Sequence, residues 1–289
     1  MGKFILNAFA DEAGCELHEQ LAALTGNGYQ GLEIRRVFQK NISKITIAEA
    51  KEIKRELDNA GIAVWSIGSP IGKISIHDDF EEHMNLYLHT LEVAAILEAK
   101  AFRLFSFNIP EGENPEQYRN KVIEQMSRFV EVGKKYNLMI GHENEKGIFG
   151  DTVERCLILH NSIPELGAIF DPANFVQCGQ NTIEAWNVLH PYVKYLHIKD
   201  STANGIVVPA GKGEGNIAFI LAEYYKQGGR VLTLEPHLTV FEGLKELEHN
   251  FEAGKFEHAE TYPTERAAFD AAASALRILI KEIERDTNI

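Results

Sequence analysis

The stretch LMIGHENEKGIFGDT, residues 138–152, sets the reading of the whole chain. It opens as an apolar run of the kind that is buried in a parallel sheet, then ends abruptly in His142, Glu143, Asn144 and Glu145. The plan recurs. Short apolar, β-branched or aromatic runs begin at Phe4 (FILNAF), Gly31 (GLEIRRV), Ala63 (AVWSIGSP), Ala101 (AFRLFSF), Leu138 (LMIGHEN), Leu166 (LGAIFDPANF), Val193 (VKYLHIKD) and Arg230 (RVLTLEPHL). The segments between them have helical spacing. TIAEAKEIKRELDNAG opens on Thr46, has Glu49 three residues on as in a capping box, and closes on Gly61. LHEQLAALTGNG, FEEHMNLYLHTLEVAAILEA, NPEQYRNKVIEQMSRFVEVGKKY and ERAAFDAAASALRILIKEIER read the same way.

Eight strand–helix alternations without hairpin signals predict a parallel sheet, and eight units in this length predict a single (β/α)8 TIM barrel over residues 1–289. An open doubly wound sheet is the alternative, but no GxGxxG follows the first run. The segment 239–264, with FEGLKELEHNFEAGKFEHAETYP, breaks the pattern. It is expected to be an insertion between the eighth strand and the last helix, folding over the barrel mouth; the alternative is a surface helix pair.

The composition, 45% hydrophobic over 289 residues, supports a sizeable core. The formal net charge of −13, with no compact basic patch, disfavours nucleic acid and anionic membrane surfaces as partners, but not a small anionic substrate. Cys15, Cys156 and Cys178 are scattered and form no CxxC pair, as expected for reduced thiols in a cytoplasmic protein. MGKFILNAFADE is too short in its apolar part for a signal peptide and lacks a Ser or Thr at position 6 for myristoylation, and no run reaches membrane-spanning length. A homo-oligomer is compatible with the sequence.

In such a barrel the chemistry sits at the C-terminal ends of the strands, and alternation tells which side chains share a face. Glu143 follows Met139 and Gly141; Asp171 follows Ile169; His197 lies between Tyr195 and Lys199; Glu235 follows Val231 and Thr233. All four can therefore point into one mouth. A lone acid at a strand end is more often a helix cap or an ion-pair partner. Four on consecutive strands with matching parity point instead to shared ligation. Three carboxylates in one mouth repel unless something positive lies between them. Three oxygens and one imidazole nitrogen suit one divalent metal ion, with manganese favoured and magnesium, cobalt or zinc as alternatives. Other motifs fail: HENEK has Lys146 where HExxH needs its second His, and AGKGEG from Ala210 lacks the Ser or Thr of a phosphate loop.

Arg103 faces inward by parity and is expected to bind a substrate hydroxyl, carboxylate or phosphate, or else to pair with Glu33 or another acid. Lys199 shares the His197 face and is expected to polarise the substrate or balance the carboxylates; the alternative is an ion pair with Asp200 or Glu214.

The chain resembles the sugar phosphate isomerase/epimerase family, the xylose isomerase-like TIM barrels. The resemblance is carried by FADE (9–12), GLEIR (31–35), FRLFSF (102–107), ENEKGIFGDT (143–152), FDPANF (170–175), HIKD (197–200), PAGKGEG (209–215) and LEPH (234–237). The family includes D-tagatose 3-epimerase, hydroxypyruvate isomerase, inosose dehydratase and endonuclease IV relatives. It implies metal ligation by Glu143, Asp171, His197 and Glu235. Asn174 stands where many members have a substrate-binding His. The endonuclease relatives need further His ligands, where this chain has GSP and FSF. The resemblance implies a metal-dependent isomerase or epimerase of carbohydrate metabolism, acting on a small sugar, polyol or related polyhydroxy carbonyl compound. Glu143 and Glu235 would then transfer the proton next to the carbonyl through an enediolate. A dehydratase of an inosose-like or keto-polyol substrate, or a non-catalytic sugar-binding relative, is the alternative.

Overall fold

The computed structural model describes residues 3–241 and 260–286. Eight parallel strands close into a barrel: β1 (Ile5–Ala8), β2 (Gly31–Ile34), β3 (Ala63–Ile67), β4 (Ala101–Leu104), β5 (Met139–Glu143), β6 (Gly167–Phe170), β7 (Val193–Ile198) and β8 (Val231–Leu234). Consecutive strands pair, and β8 closes on β1 with Leu234 beside Ala8. The helices between them are α1 (Leu17–Gly26), α2 (Ile47–Ala60), α3 (Phe80–Ile96), α4 (Arg119–Lys134), α5 (Val153–Ser162), α6 (Pro172–Gln177), α7 (Thr182–Leu189), α8 (Ile217–Lys226) and α9 (Glu265–Asp286). This is the (β/α)8 barrel that the alternation predicts.

Local signals act as read. Thr46 accepts from the Glu49 amide at 3.2 Å, and Glu49 accepts from the Thr46 amide at 2.8 Å. Gly61 ends α2 at φ 67°, a left-handed conformation that glycine adopts without strain. The run from Leu166 divides earlier than its apolar pattern suggests. The strand stops at Phe170 because Asp171 caps α6 through Oδ1, 3.0 Å from the Asn174 amide, and Pro172 occupies the first helical turn. Two short hairpins interrupt the alternation: Arg36–Val37 with Lys40–Asn41, whose turn has no glycine, and Asp200–Ser201 with Val207–Val208, whose turn carries Asn204-Gly205.

Strand alternation divides the interior in two. Leu32, Ile34, Phe102, Leu104, Ile140, Leu196, Ile198, Leu232 and Leu234 belong to the large core shared with the helices. Ala101, Ile169, Tyr195 and Val231, with Trp65 and Met139, form a second apolar cluster that fills the barrel axis. Above this plug the interior turns polar. Tyr195 donates to Glu33 at 3.0 Å, and Thr233 donates to the other Glu33 oxygen at 2.8 Å. The plug closes one end of the barrel, so buried polar groups gather towards the C-terminal ends of the strands.

The glycine loop AGKGEG has its anion built in. The Asp200 carboxylate accepts from the amides of Gly211 and Gly213, each at 2.9 Å, and of Gly215 at 2.8 Å. Such a nest of amides binds an anion, and here the anion is a side chain.

Among the described residues no helix is long and apolar enough to cross a membrane. Residues 242–259, the greater part of the expected insertion, lie outside the described residues. The stretch leading into it carries Leu238 and Phe241, both buried.

A Cβ at Gly213 would lie 2.4 Å from Asp200 Oδ1 and 2.5 Å from the Ser201 carbonyl. Gly213→Ala should therefore open the nest and lower stability by about 1–3 kcal/mol, measured by urea unfolding. An unchanged midpoint would mean that the loop is loosely held.

Candidate active site

At the C-terminal ends of β5 to β8 one atom each from Glu143, Asp171, His197 and Glu235 lies within 4.8 Å of the others, and all four residues are buried. The backbone explains the convergence. His197 lies beside Thr233 across β7 and β8, and Glu143 beside Ile169 across β5 and β6. Glu235 follows β8 directly, its amide held by Ile198 O at 3.1 Å. Alternation therefore brings together the four side chains that the sequence selects.

Each carboxylate divides its two oxygens between separate tasks. Glu143 Oε1 is 2.9 Å from His197 Nδ1, while Oε2 accepts from Arg103 Nη1 at 2.9 Å. Glu235 Oε2 is 2.9 Å from Lys199 Nζ and 3.7 Å from His197 Nδ1, while Oε1 accepts from Arg35 Nη1 at 3.2 Å. Asp171 caps α6 with Oδ1, so the helix-cap reading of this acid is correct for one oxygen. Its buried Oδ2 accepts no hydrogen bond, and Lys199 Nζ lies 3.1 Å away.

His197 is held from both sides. Nδ1 faces the acids and Nε2 is 3.2 Å from Glu33 Oε2. A proton on Nε2, donated to Glu33, would leave the Nδ1 lone pair aimed into the cluster.

The remaining expected residues also reach this place, Arg103 in the pair with another acid that was its alternative and Lys199 with partners other than those named for it. Arg103 pairs with Glu143 rather than Glu33, and its other donors reach Gly68 O at 3.0 Å and Ser69 O at 3.4 Å. Lys199 pairs with Asp171 and Glu235, not with Asp200 or Glu214, because Asp200 is occupied by the glycine loop. Asn174 Nδ2 donates to Asn144 O at 2.9 Å and lies 3.4 Å from Glu143 Oε1.

Several residues escaped the sequence reading. Arg35 binds Asp11 at 2.9 Å and Glu12 at 2.9 Å as well as Glu235. His237 Nδ1 is 3.0 Å from Glu12. The Phe9 ring is close to two guanidinium groups, with Arg35 Cζ 4.4 Å and Arg103 Cζ 5.0 Å from its centroid, and meets His197 edge-on. Glu33 and Arg35 share a strand face, so parity could have found them. Asp11, Glu12 and His237 lie on turns, where no period applies.

Crowding sets the protonation states. Burial raises the Asp171 pKa to about 7; Lys199 opposes the rise, and Glu235 and Glu143 add to it. Burial also disfavours the Glu235 anion, but Lys199, His237, His197 and Arg35 outweigh it and hold that carboxyl well below the usual range. Burial disfavours the His197 imidazolium, yet Glu143 and Glu33 overcome it and lift the group to about 10. The unbonded Asp171 oxygen, the oriented imidazole and the surplus of acid together fit a divalent cation. A second cluster, Glu12, Glu235 and His237, has a ligand-like spacing too, but the Arg35 guanidinium already bonds to two of its members.

The sequence profile described as xylose isomerase-like TIM barrel matches residues 21–254. No curated protein sequence matches the chain. Among solved structures the fold is similar to that of L-ribulose 3-epimerase, with TM-score 0.76 and 14% identity over 99% of this chain and 97% of that one. It is similar to the probable 3-DHS dehydratase AsbF, involved in petrobactin synthesis in Bacillus anthracis, with TM-score 0.71 and 17% identity over 96% and 98% of the two chains. It is also similar to the IolI protein with a bound zinc atom, with TM-score 0.72 and 14% identity over 96% and 98%. At these identities the structural likeness speaks to the fold alone. The profile spans most of the barrel and both ends of the acidic cluster, and on that ground the chain belongs to the xylose isomerase-like TIM barrel family.

Proposed function

We propose that this chain is a divalent-metal-dependent isomerase or epimerase of a sugar or related polyhydroxy carbonyl compound. The observation that carries the reading is the matched setting of Glu143 and Glu235. Each has one oxygen in the four-residue cluster and the other held by an arginine, Arg103 or Arg35. A binding module has no need of two buried carboxylates so placed.

Glu143, Asp171, His197 and Glu235 would hold the ion. When bound, it supplies Lewis-acid polarisation of a substrate carbonyl. The protein's own groups do the rest. One glutamate removes the proton from the carbon next to the carbonyl, and the other returns a proton to the opposite face or to the neighbouring carbon. Arg103 and Arg35 fix these carboxylates in orientation. Lys199, between Asp171 and Glu235, is placed to donate to a substrate oxygen. Glu33 sets the His197 tautomer. The Phe9 ring, fully buried against both arginines, keeps water from this side of the mouth.

Glu143→Gln or Glu235→Gln keeps size and a ligating oxygen but removes a base. Each should lower substrate-dependent deuterium uptake from solvent, and turnover, by roughly a hundredfold or more, with the fold retained by circular dichroism. Near-normal exchange in both would overturn the two-glutamate reading. A dehydrated product in place of an isomer would identify the dehydratase alternative.

Metal affinity should also depend on pH in a stated direction. With the ion absent, Asp171 holds a proton up to about pH 7 and His197 up to about pH 10. Ligation needs both deprotonated, so binding must expel protons and tighten as pH rises from 6 to 8. Calorimetry in buffers of different ionisation heat should report that release. Affinity that does not change with pH would place the ion elsewhere.

A further inference from the structure

We infer that Asn144 and Asn174 are positioning residues that join Glu143 and Asp171 into one ligand pair before a cation arrives. The inference rests on the proposed reading of the cluster as a cation site. It goes beyond that reading by naming what holds two members of the cluster at their spacing. Asn144 stands in the stretch that ends the fifth strand, and neither the ligand set nor the mechanism makes use of it.

The β5–β6 ladder ends with Glu143 beside Ile169. Beyond that rung the chain leaves β6 to begin α6, and a side-chain amide takes over the pairing. Asn144 Oδ1 accepts from the Asp171 amide at 2.9 Å, and Asn144 Nδ2 donates to the Asp171 carbonyl at 2.9 Å. This exchange of two bonds resembles that of a hydrogen-bonded residue pair in an antiparallel ladder. Both partners are backbone groups, one a donor and one an acceptor, so they decide which end of the amide is the oxygen. Asn174 closes the clasp from the other side. Its backbone amide donates to Asp171 Oδ1 at 3.0 Å, while its Nδ2 donates to the Asn144 carbonyl at 2.9 Å and to Glu143 Oε1 at 3.4 Å. Both asparagines are buried.

The polar groups of Asp171 show what the clasp does. Its amide, its carbonyl and Oδ1 all end on the two asparagines, and Oδ2, buried and without a hydrogen bond, is the oxygen left for a cation. Glu143 is held in the same manner, by Arg103 on Oε2 and by Asn174 beside Oε1. A carboxylate oxygen has two lone pairs, so Oε1 keeps one for the ion. Acids this close repel, and side chains without restraint would swing apart until a cation came between them. The clasp ties the Asp171 backbone to the residue that follows Glu143, so repulsion cannot separate the pair. Both hydrogens of the Asn174 amide are used in this, which leaves it no donor for a substrate. On this account Asn174 acts on the ligands, not on the substrate.

The test is manganese binding to the full chain by calorimetry. It is run at a temperature where unfolding curves show each variant to be folded, so that lost stability alone leaves the affinity unchanged. Asn144→Ala should weaken manganese binding about tenfold or more, and Asn174→Leu, which keeps its backbone cap, by roughly threefold or more. The loss should run through Asp171: with Asp171→Ala already present, adding Asn144→Ala should change the affinity by less than about twofold. The visible absorption of bound cobalt(II), at saturating metal, is a signature that stability does not move. Asn144→Ala should shift the bands in the same direction as Asp171→Ala, since both take one carboxylate from the ion. Should Asn144→Ala fail to fold, Asn174→Leu carries the test by the same two measures. Unchanged affinity in the folded variants, unchanged cobalt bands, or a fully additive loss in the Asp171→Ala background would each overturn the inference. An unmodified chain that binds no manganese would be a different failure: the reading of the cluster as a cation site would fall, and the clasp with it.

Discussion

The mouth of this barrel is organised around buried negative charge that the chain brings together and only partly neutralises. Glu143, Asp171 and Glu235 meet at the ends of three strands, with His197 between them. Like charges at this spacing, away from water, cannot all remain ionised without compensation. Much of the surrounding structure supplies it. Arg103 and Arg35 grip the outer oxygens of the two glutamates, Lys199 bridges Asp171 and Glu235, and a further set of acids holds the arginines in turn. What stays unbalanced is local: one buried Asp171 oxygen without a hydrogen bond, in the same cluster as an imidazole nitrogen turned towards Glu143.

The fold makes this arrangement affordable by separating roles along the barrel axis. The apolar plug of Ala101, Ile169, Tyr195 and Val231 packs the lower interior, so the upper layers can be polar without leaving the barrel hollow. Tyr195 belongs to both worlds. Its ring lies in the plug, and its hydroxyl begins the chain of hydrogen bonds that runs through Glu33 to His197. Gly141 beside Arg103 has a similar use: the missing side chain at that level leaves room above Ile169, and a Cβ there would come within 2.7 Å of the isoleucine.

The period of two carried the sequence reading a long way. Applied to the eight apolar runs, it separates helix-facing from axis-facing residues and selects Glu143, Asp171, His197 and Glu235 together. It failed where position is set by turns. Asp11 and Glu12 lie on a short 3-10 turn after β1, and His237 sits at φ 46° beyond β8. Their partners lie far away in sequence, so no local pattern announces them. The pairing of Arg103 and Lys199 was hidden for a related reason. Parity says that a side chain faces inward, but not which of several inward acids it meets. Lys199 meets Asp171 and Glu235 while Asp200 is committed to the amides of Gly211, Gly213 and Gly215.

The account stands or falls on whether the cluster of strands β5 to β8 is where a cation goes. The direct measurement is an anomalous difference map from crystals grown or soaked with manganese, collected at the manganese edge. The account predicts one strong peak about 2.0–2.4 Å from an atom of each of Glu143, Asp171, His197 and Glu235, with the His197 contact made through Nδ1. A peak at Glu12 and His237 instead, or no peak at a saturating concentration of manganese, would contradict it.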